Sequence, residues 1–98
     1  MVEYSRPRLD GLFRALSHQT RRSIVELLLQ RPHSVSELAQ HFHISFAATS
    51  KHVQVLERAG LIERELRGRT RVAKIDVKVL AFTHTWLSRH RPLWTRLP

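Results

Sequence analysis

Residues 34–60, "SVSELAQHFHISFAATSKHVQVLERAG", restrict the fold more than any other stretch of the chain. They read as two short helices joined by only three residues, His43-Ile44-Ser45. Ser36 fits the N-cap of the first, with Glu37 in its first turn. Ser34 with Glu37 fits a capping box, so the start lies at one serine or the other. Ser45 caps the second helix. Its Thr49, Val53 and Leu56 fall at i, i+4 and i+7 and should face inward. Gly60 ends it, in the left-handed position that often follows a helix. The opposite face carries Ala47, Ser50, Lys51, Gln54 and Arg58, all small or polar, so the start of this helix is slim.

Two helices on so tight a turn, the second exposing small polar groups, make a helix-turn-helix. In that arrangement the first helix braces the second. The second enters a DNA major groove about 12 Å wide and reads base edges from its N-terminal half. Bulk there would block entry, which accounts for Ala47 and Ser50. The plain alternative for Ser50, Lys51 and Gln54 is a solvated helix face. Phe46 flanks the helix start, placed either to touch a thymine methyl or to pack against the preceding helix. His52 reads as half-buried, donating to a backbone group or a phosphate.

The rest of the chain fits around this unit. Leu9, Leu12, Phe13 and Leu16 form one apolar stripe on a short helix. "QTRRSIVELLLQ" places Ile24, Leu27 and Leu28 on one face with Val25 and Leu29 beside it, so this helix should be mostly buried. Pro32 stops it. "LIEREL", "RGRT" and "RVAKID" read as two strands around a basic turn that Gly68 permits. A last helix spans about Val77 to Arg91, before Pro92. Val79, Phe82, Thr83, Trp86 and His90 share one face, flanked by Leu80 and Leu87. That apolar arc is wide for a peripheral helix. The 98 residues suit one domain, and 42% of them are apolar, enough for a small core only. Leu12, Phe13, Leu80, Phe82, Trp86 and Leu87 offer more apolar area than such a domain covers, which points to a second copy.

Lys and Arg number 17 against 8 acids, a formal charge of +9. That excess favours a polyanion or an anionic membrane surface. Arg67, Arg69 and Arg71 cluster around Gly68, near Arg64 and Lys74. Glu63 and Glu65 offset charge at the start of the first strand, not at the tip. Charge runs are usually just solvated, but three arginines at a hairpin tip can embrace a phosphate backbone or enter a minor groove. Arg21 and Arg22 open a helix against its dipole, at about 0.3–1 kcal/mol, which a phosphate or a nearby carboxylate would relieve.

Other classes of function find no support. The chain has no cysteine, which excludes disulfides and thiolate metal sites. No glycine-rich phosphate loop or evident carboxylate pair suggests an enzyme. Seven histidines invite a metal, yet His41 with His43 and His84 with His90 lack the i, i+4 spacing that joins two imidazoles on a helix. A histidine site built between subunits stays open. The N-terminus lacks an apolar segment of signal-peptide length, and no apolar run approaches the roughly 20 residues of a bilayer span. The expectation is a soluble, cytoplasmic protein with no membrane partner.

"VSELAQHF…SKHVQVLERAGLI" followed by "RGRT" resembles the arsenical-resistance repressor (ArsR) family of winged-helix regulators. The resemblance covers about residues 9–90. Ser50-Lys51-His52, Val53, Leu56 and Ala59-Gly60-Leu61 carry most of it, and "HQTRRSIVELL" looks like the family's second helix. It implies a mainly α, homodimeric winged helix-turn-helix in which the first and last helices form the dimer and the strand pair is the wing. There are departures. The turn usually holds glycine and here holds His43, where positive φ is often required. An apolar core position is Thr49. Metal-sensing members carry two cysteines where this chain has Ser34 and Ser36. Another metal-sensing class opens the last helix with Asp-x-His, where this chain reads Asp76-Val77-Lys78-Val79.

The combined expectation is a single domain over residues 1–98, with the helix-turn-helix at 36–59 and the wing at 61–76. It would bind double-stranded DNA as a homodimeric repressor of a near-palindromic operator. The DNA-facing set is Arg21, Arg22, Ser45, Phe46, Ala47, Ser50, Lys51, His52, Gln54, Arg67, Arg69 and Arg71. The dimer set, on helices at 9–16 and 77–91, is Leu9, Leu12, Phe13, Leu16, Val79, Leu80, Phe82, Trp86 and Leu87. No cofactor or metal ligand set is assigned, and no effector is named. A histidine-based metal-responsive repressor and a winged-helix protein-interaction module are the alternatives.

Overall fold

Helix ends in this chain are set by a few polar side chains and by backbone that turns left-handed. A computed structural model describes residues 6–89, with side chains from residue 8 onward. Its elements run α1 (Arg6–Ala15), α2 (Gln19–Gln30), α3 (Val35–Phe42), α4 (Phe46–Arg58), β1 (Ile62–Arg67), β2 (Thr70–Ile75) and α5 (Val77–Arg89). Helices supply most of the core, and a two-stranded antiparallel hairpin adds Ile62 and Ala73 to it. His90 and Arg91, expected in the last helix, lie outside the described residues.

Ser34, not Ser36, caps α3. Its Oγ accepts from the Glu37 N–H at 3.1 Å while Glu37 Oε1 accepts from the Ser34 N–H at 3.0 Å. That Ser34 N–H holds the Glu37 carboxylate below its usual pKa, with help from Arg31. Ser45 caps α4, its Oγ accepting from the Ala48 N–H at 3.0 Å. Both helices end alike. After α3, His43 sits at φ 56, and the His43 and Ile44 N–H groups return to the Gln40 and Ala39 carbonyls. After α4, Gly60 sits at φ 83, and the Gly60 and Leu61 N–H groups return to the Glu57 and Leu56 carbonyls. These bonds satisfy carbonyls that the helix itself leaves open. Asp76 starts α5, its Oδ1 accepting from the Lys78 N–H at 3.0 Å.

The core gathers Leu12, Ile24, Leu28, Leu38, Val53, Leu56, Leu61 and Val79. Thr49 is fully buried among them, as its spacing implied, and its Oγ1 donates to the Ser45 carbonyl at 2.7 Å. A buried hydroxyl with a partner avoids the desolvation penalty, so threonine is tolerated there. Three expectations need correction. Leu29, at the end of α2, is 56% exposed. Leu12 and Val79, assigned to the dimer, lie in the chain's own core. Their stripes face inward because each helix must first cover the centre of its own domain.

The hairpin pairs Ile62 with Ile75 and, at its far end, Arg67 with Thr70. Gly68 and Arg69 form the two-residue tip, and Gly68 supplies its positive φ of 62. A single bridge adds His33 beside β2. The His33 N–H donates to the Ala73 carbonyl at 3.1 Å and the Ala73 N–H donates back at 2.7 Å. His33 is buried, and its Nδ1 donates to the Arg31 carbonyl at 2.8 Å.

Candidate nucleic-acid interface

The helix-turn-helix presents α4 as expected. Ala47, Lys51, Gln54 and Arg58 are exposed and Ser50 is half-buried, while Val53 and Leu56 anchor the inner face. Phe46 is 59% exposed, so it does not bury its ring against α3. Ser45 is exposed, although its hydroxyl already serves as the cap. The slim outer face is therefore a consequence of side-chain size.

His52 is half-buried, as its position implied, and it also meets a second ring. Its ring lies 4.6 Å, centroid to centroid, from the ring of His18. Burial, then the neighbouring His18, then Arg21 hold its pKa below the usual histidine value. His18 was not singled out by the sequence. It caps α2, with Nδ1 accepting from the Thr20 N–H at 3.1 Å. This tilted ring contact ties the start of α2 to the middle of α4. A ring contact between elements leaves no spacing signal, so only the fold reveals it.

Arg21 and Arg22 find their compensation at a helix end. Arg21 Nε donates to the Ala15 carbonyl at 2.6 Å and its Nη2 to the Arg14 carbonyl at 3.1 Å. Arg22 Nη1 donates to the Leu16 carbonyl at 2.8 Å. These carbonyls close α1, where the dipole favours a cation. Neither a phosphate nor a carboxylate is needed to explain the pair. Arg22 stays exposed at this surface, whereas Arg21 is half-buried.

On the hairpin, the acids divide the cations into two groups. Lys74 Nζ lies 3.5 Å from Glu63 and 3.7 Å from Glu65, and Arg67 Nη2 lies 3.4 Å from Glu65. Arg64 Nε reaches Glu57 of α4 at 3.8 Å, linking the base of the hairpin to that helix. Among the described residues, Arg69 and Arg71 have no such carboxylate partner, and both are exposed. Arg69 and Arg71 thus keep their charge at the tip, whereas Glu65 reaches Arg67, which the sequence placed with the uncompensated tip arginines.

The histidines are dispersed. His41 lies against Phe42 with ring centroids 4.8 Å apart, and His43 occupies the turn. Among the described residues, no group of three or more His, Cys, Asp or Glu could hold a metal ion. Asp76 instead caps α5 through the Lys78 N–H. No helix of the described residues is long and apolar enough to cross a membrane.

Known proteins are similar to this chain in sequence and in fold. The family described as "Bacterial regulatory protein, arsR family" matches residues 18–64. The HTH-type transcriptional regulator Rv2034 of Mycobacterium tuberculosis is 40% identical over 96 residues, covering 98% of this chain and 85% of the relative. This chain belongs to the ArsR family. Transcriptional repressor SdpR of Bacillus subtilis is 29% identical over 79 residues, 81% of this chain and 88% of that one. An ArsR-like transcriptional regulator from Rhodococcus sp. RHA1 superposes with a TM-score of 0.81 at 32% identity, over 92% of this chain and 85% of that structure. ArsR-family proteins are DNA-binding transcription factors rather than enzymes, and this winged helix-turn-helix is one of their DNA-binding domains.

Proposed function

We propose that two copies of this chain bind one near-palindromic operator and repress transcription from it. The observation that carries the reading is the outer face of α4, where Ala47, Ser50, Lys51 and Gln54 leave room for base edges. Ser50 and Gln54 read bases. Lys51, Arg22 and the α4 start at Ser45 approach phosphates. Phe46, with its ring exposed, suits a thymine methyl better than a core contact. Arg69 and Arg71 track the neighbouring backbone or minor groove from the wing, with Arg67 shared between Glu65 and DNA. His52 and Arg21 hold α4 and α1 in place behind this surface. Two-fold symmetry sets half-sites about 10–10.5 bp apart, centre to centre.

Selection of bound duplexes from a random pool, followed by a salt titration, tests this. Affinity should fall steeply with salt as counterions are released. Lys51→Ala and Arg69→Ala should each lower the slope of log K against log salt by about one. Gln54→Ala should change the selected sequence instead. If both charge variants bind like the parent, the proposed footprint is wrong. Weak, sequence-blind binding of the parent would favour a protein partner for α4.

A further inference from the structure

We propose that the groove between α1 and the C-terminal half of α4 binds a small anionic amphiphile, a carboxylate with an apolar body. The groove has a volume of about 290 Å³ and is lined by Gly11 and Arg14 of α1 and by Val55, Arg58 and Ala59 of α4. Gly11 opens the argument. It lies inside a helix, where glycine is less stable than alanine. It has no positive φ, and among the described residues an added Cβ would meet nothing within 4 Å. Neither backbone conformation nor internal packing calls for glycine there. A body from outside the chain, approaching the α1 backbone, does.

The walls define that body. Val55 and Ala59 give the floor an apolar character. Arg14 and Arg58 are exposed at its edge, and among the described residues no hydrogen bond or ion pair occupies either guanidinium. Among the described residues, no carboxylate lines the groove. Two guanidiniums beside an apolar floor suit a carboxylate, which arginine can bind in bidentate fashion. Phe13 lies about 200° around the α1 axis from Gly11, so a second copy seated on Phe13 leaves the groove open. Any influence of the ligand on DNA rests on the operator reading above, because α4 is the reading helix. The binding itself does not.

Sodium octanoate is the probe, added to the full chain without DNA and followed by amide chemical shifts. Octanol and inorganic phosphate are the controls. Octanoate should shift Gly11, Val55 and Ala59 saturably, and neither control should. Arg14→Ala should weaken binding roughly tenfold. Gly11→Leu should abolish it while the melting temperature holds or rises, because leucine fills the groove and favours helix. The proposal fails if octanoate gives no saturable shift, if octanol matches it, or if Gly11→Leu binds like the parent. It also fails if Gly11→Leu changes the sedimenting mass of a parent that ignores octanoate, since the groove then belongs to contacts between copies. A chain that binds octanoate but no DNA overturns the operator reading and leaves this one standing.

Discussion

His43 and Gly60 hold equivalent places, one after each helix of the helix-turn-helix, at φ 56 and 83. Glycine reaches that region without steric penalty, whereas a residue with a Cβ pays about 1 kcal/mol or more. His43→Gly should therefore stabilise the domain, by up to about 1 kcal/mol, with the freer unfolded chain returning part of the gain. Urea denaturation followed by circular dichroism reads this. A lower midpoint would mean that the imidazole makes a contact worth more than the strain. The reverse exchange at Gly60 should destabilise, because a Cβ there meets the unfavourable φ, while the end of the Arg8 side chain must also move aside. The sequence was informative at this level wherever chemistry is local. Ser45, Gly60 and the need for positive φ at His43 were all legible, since each concerns backbone within a few residues. Arg21 and Arg22 showed only half of their chemistry. Their conflict with the α2 dipole was visible, but the carbonyls that resolve it belong to α1.

Helix α4 is held from behind by the contact of His52 with His18, and this gives the helix-turn-helix a pH dependence. The His52 pKa is depressed when folded, so between that value and the ordinary histidine value near 6.5 the unfolded chain binds more protons. Stability from this group is full above about pH 6.5 and is lost as pH falls through the folded value. His52→Gln should flatten that part of the profile. The measurement compares denaturation midpoints of parent and variant between about pH 7.5 and pH 5.5. Equal losses in the two proteins would assign the dependence to other histidines. All seven elements were legible from period and punctuation: caps and Pro32 for the helices, alternation and Gly68 for the hairpin. The His33–Ala73 bridge was not, because one residue pair has no period. Nor could the stripes on α1 and α5 be divided between the chain's own core and a partner. Periodicity gives the direction of a face, and only the fold shows that Leu12 and Val79 are consumed internally.

What then remains for a partner copy is a smaller and more sharply located surface. Phe13 of α1 and Trp86 of α5 meet edge to face, with ring centroids 5.5 Å apart at 62°. Phe13 is 36% and Leu87 44% exposed, while Leu9, Leu16, Leu80 and Phe82 are partly buried beside the core. A dimer built there would put one α4 on each side of a two-fold axis, and that coupling matters to a chain of charge +9. Arginines and lysines alone would draw the protein to any duplex. In the proposed dimer, selectivity for a palindrome would come from closing the second half-site intramolecularly, which can add about 10²–10⁴ in affinity without a new contact. Leu87→Lys tests the link. A charge buried against its symmetry mate should weaken dimerisation by at least about 100-fold. At micromolar concentration the parent should sediment as a dimer and the variant as a monomer with unchanged helix content. On DNA, the variant should lose most of its preference for the paired site yet keep the parent's affinity for an isolated half-site. A dimer that survives the substitution would move the interface off α5. A monomer that still prefers the paired site would show that DNA, rather than protein contact, brings the two copies together.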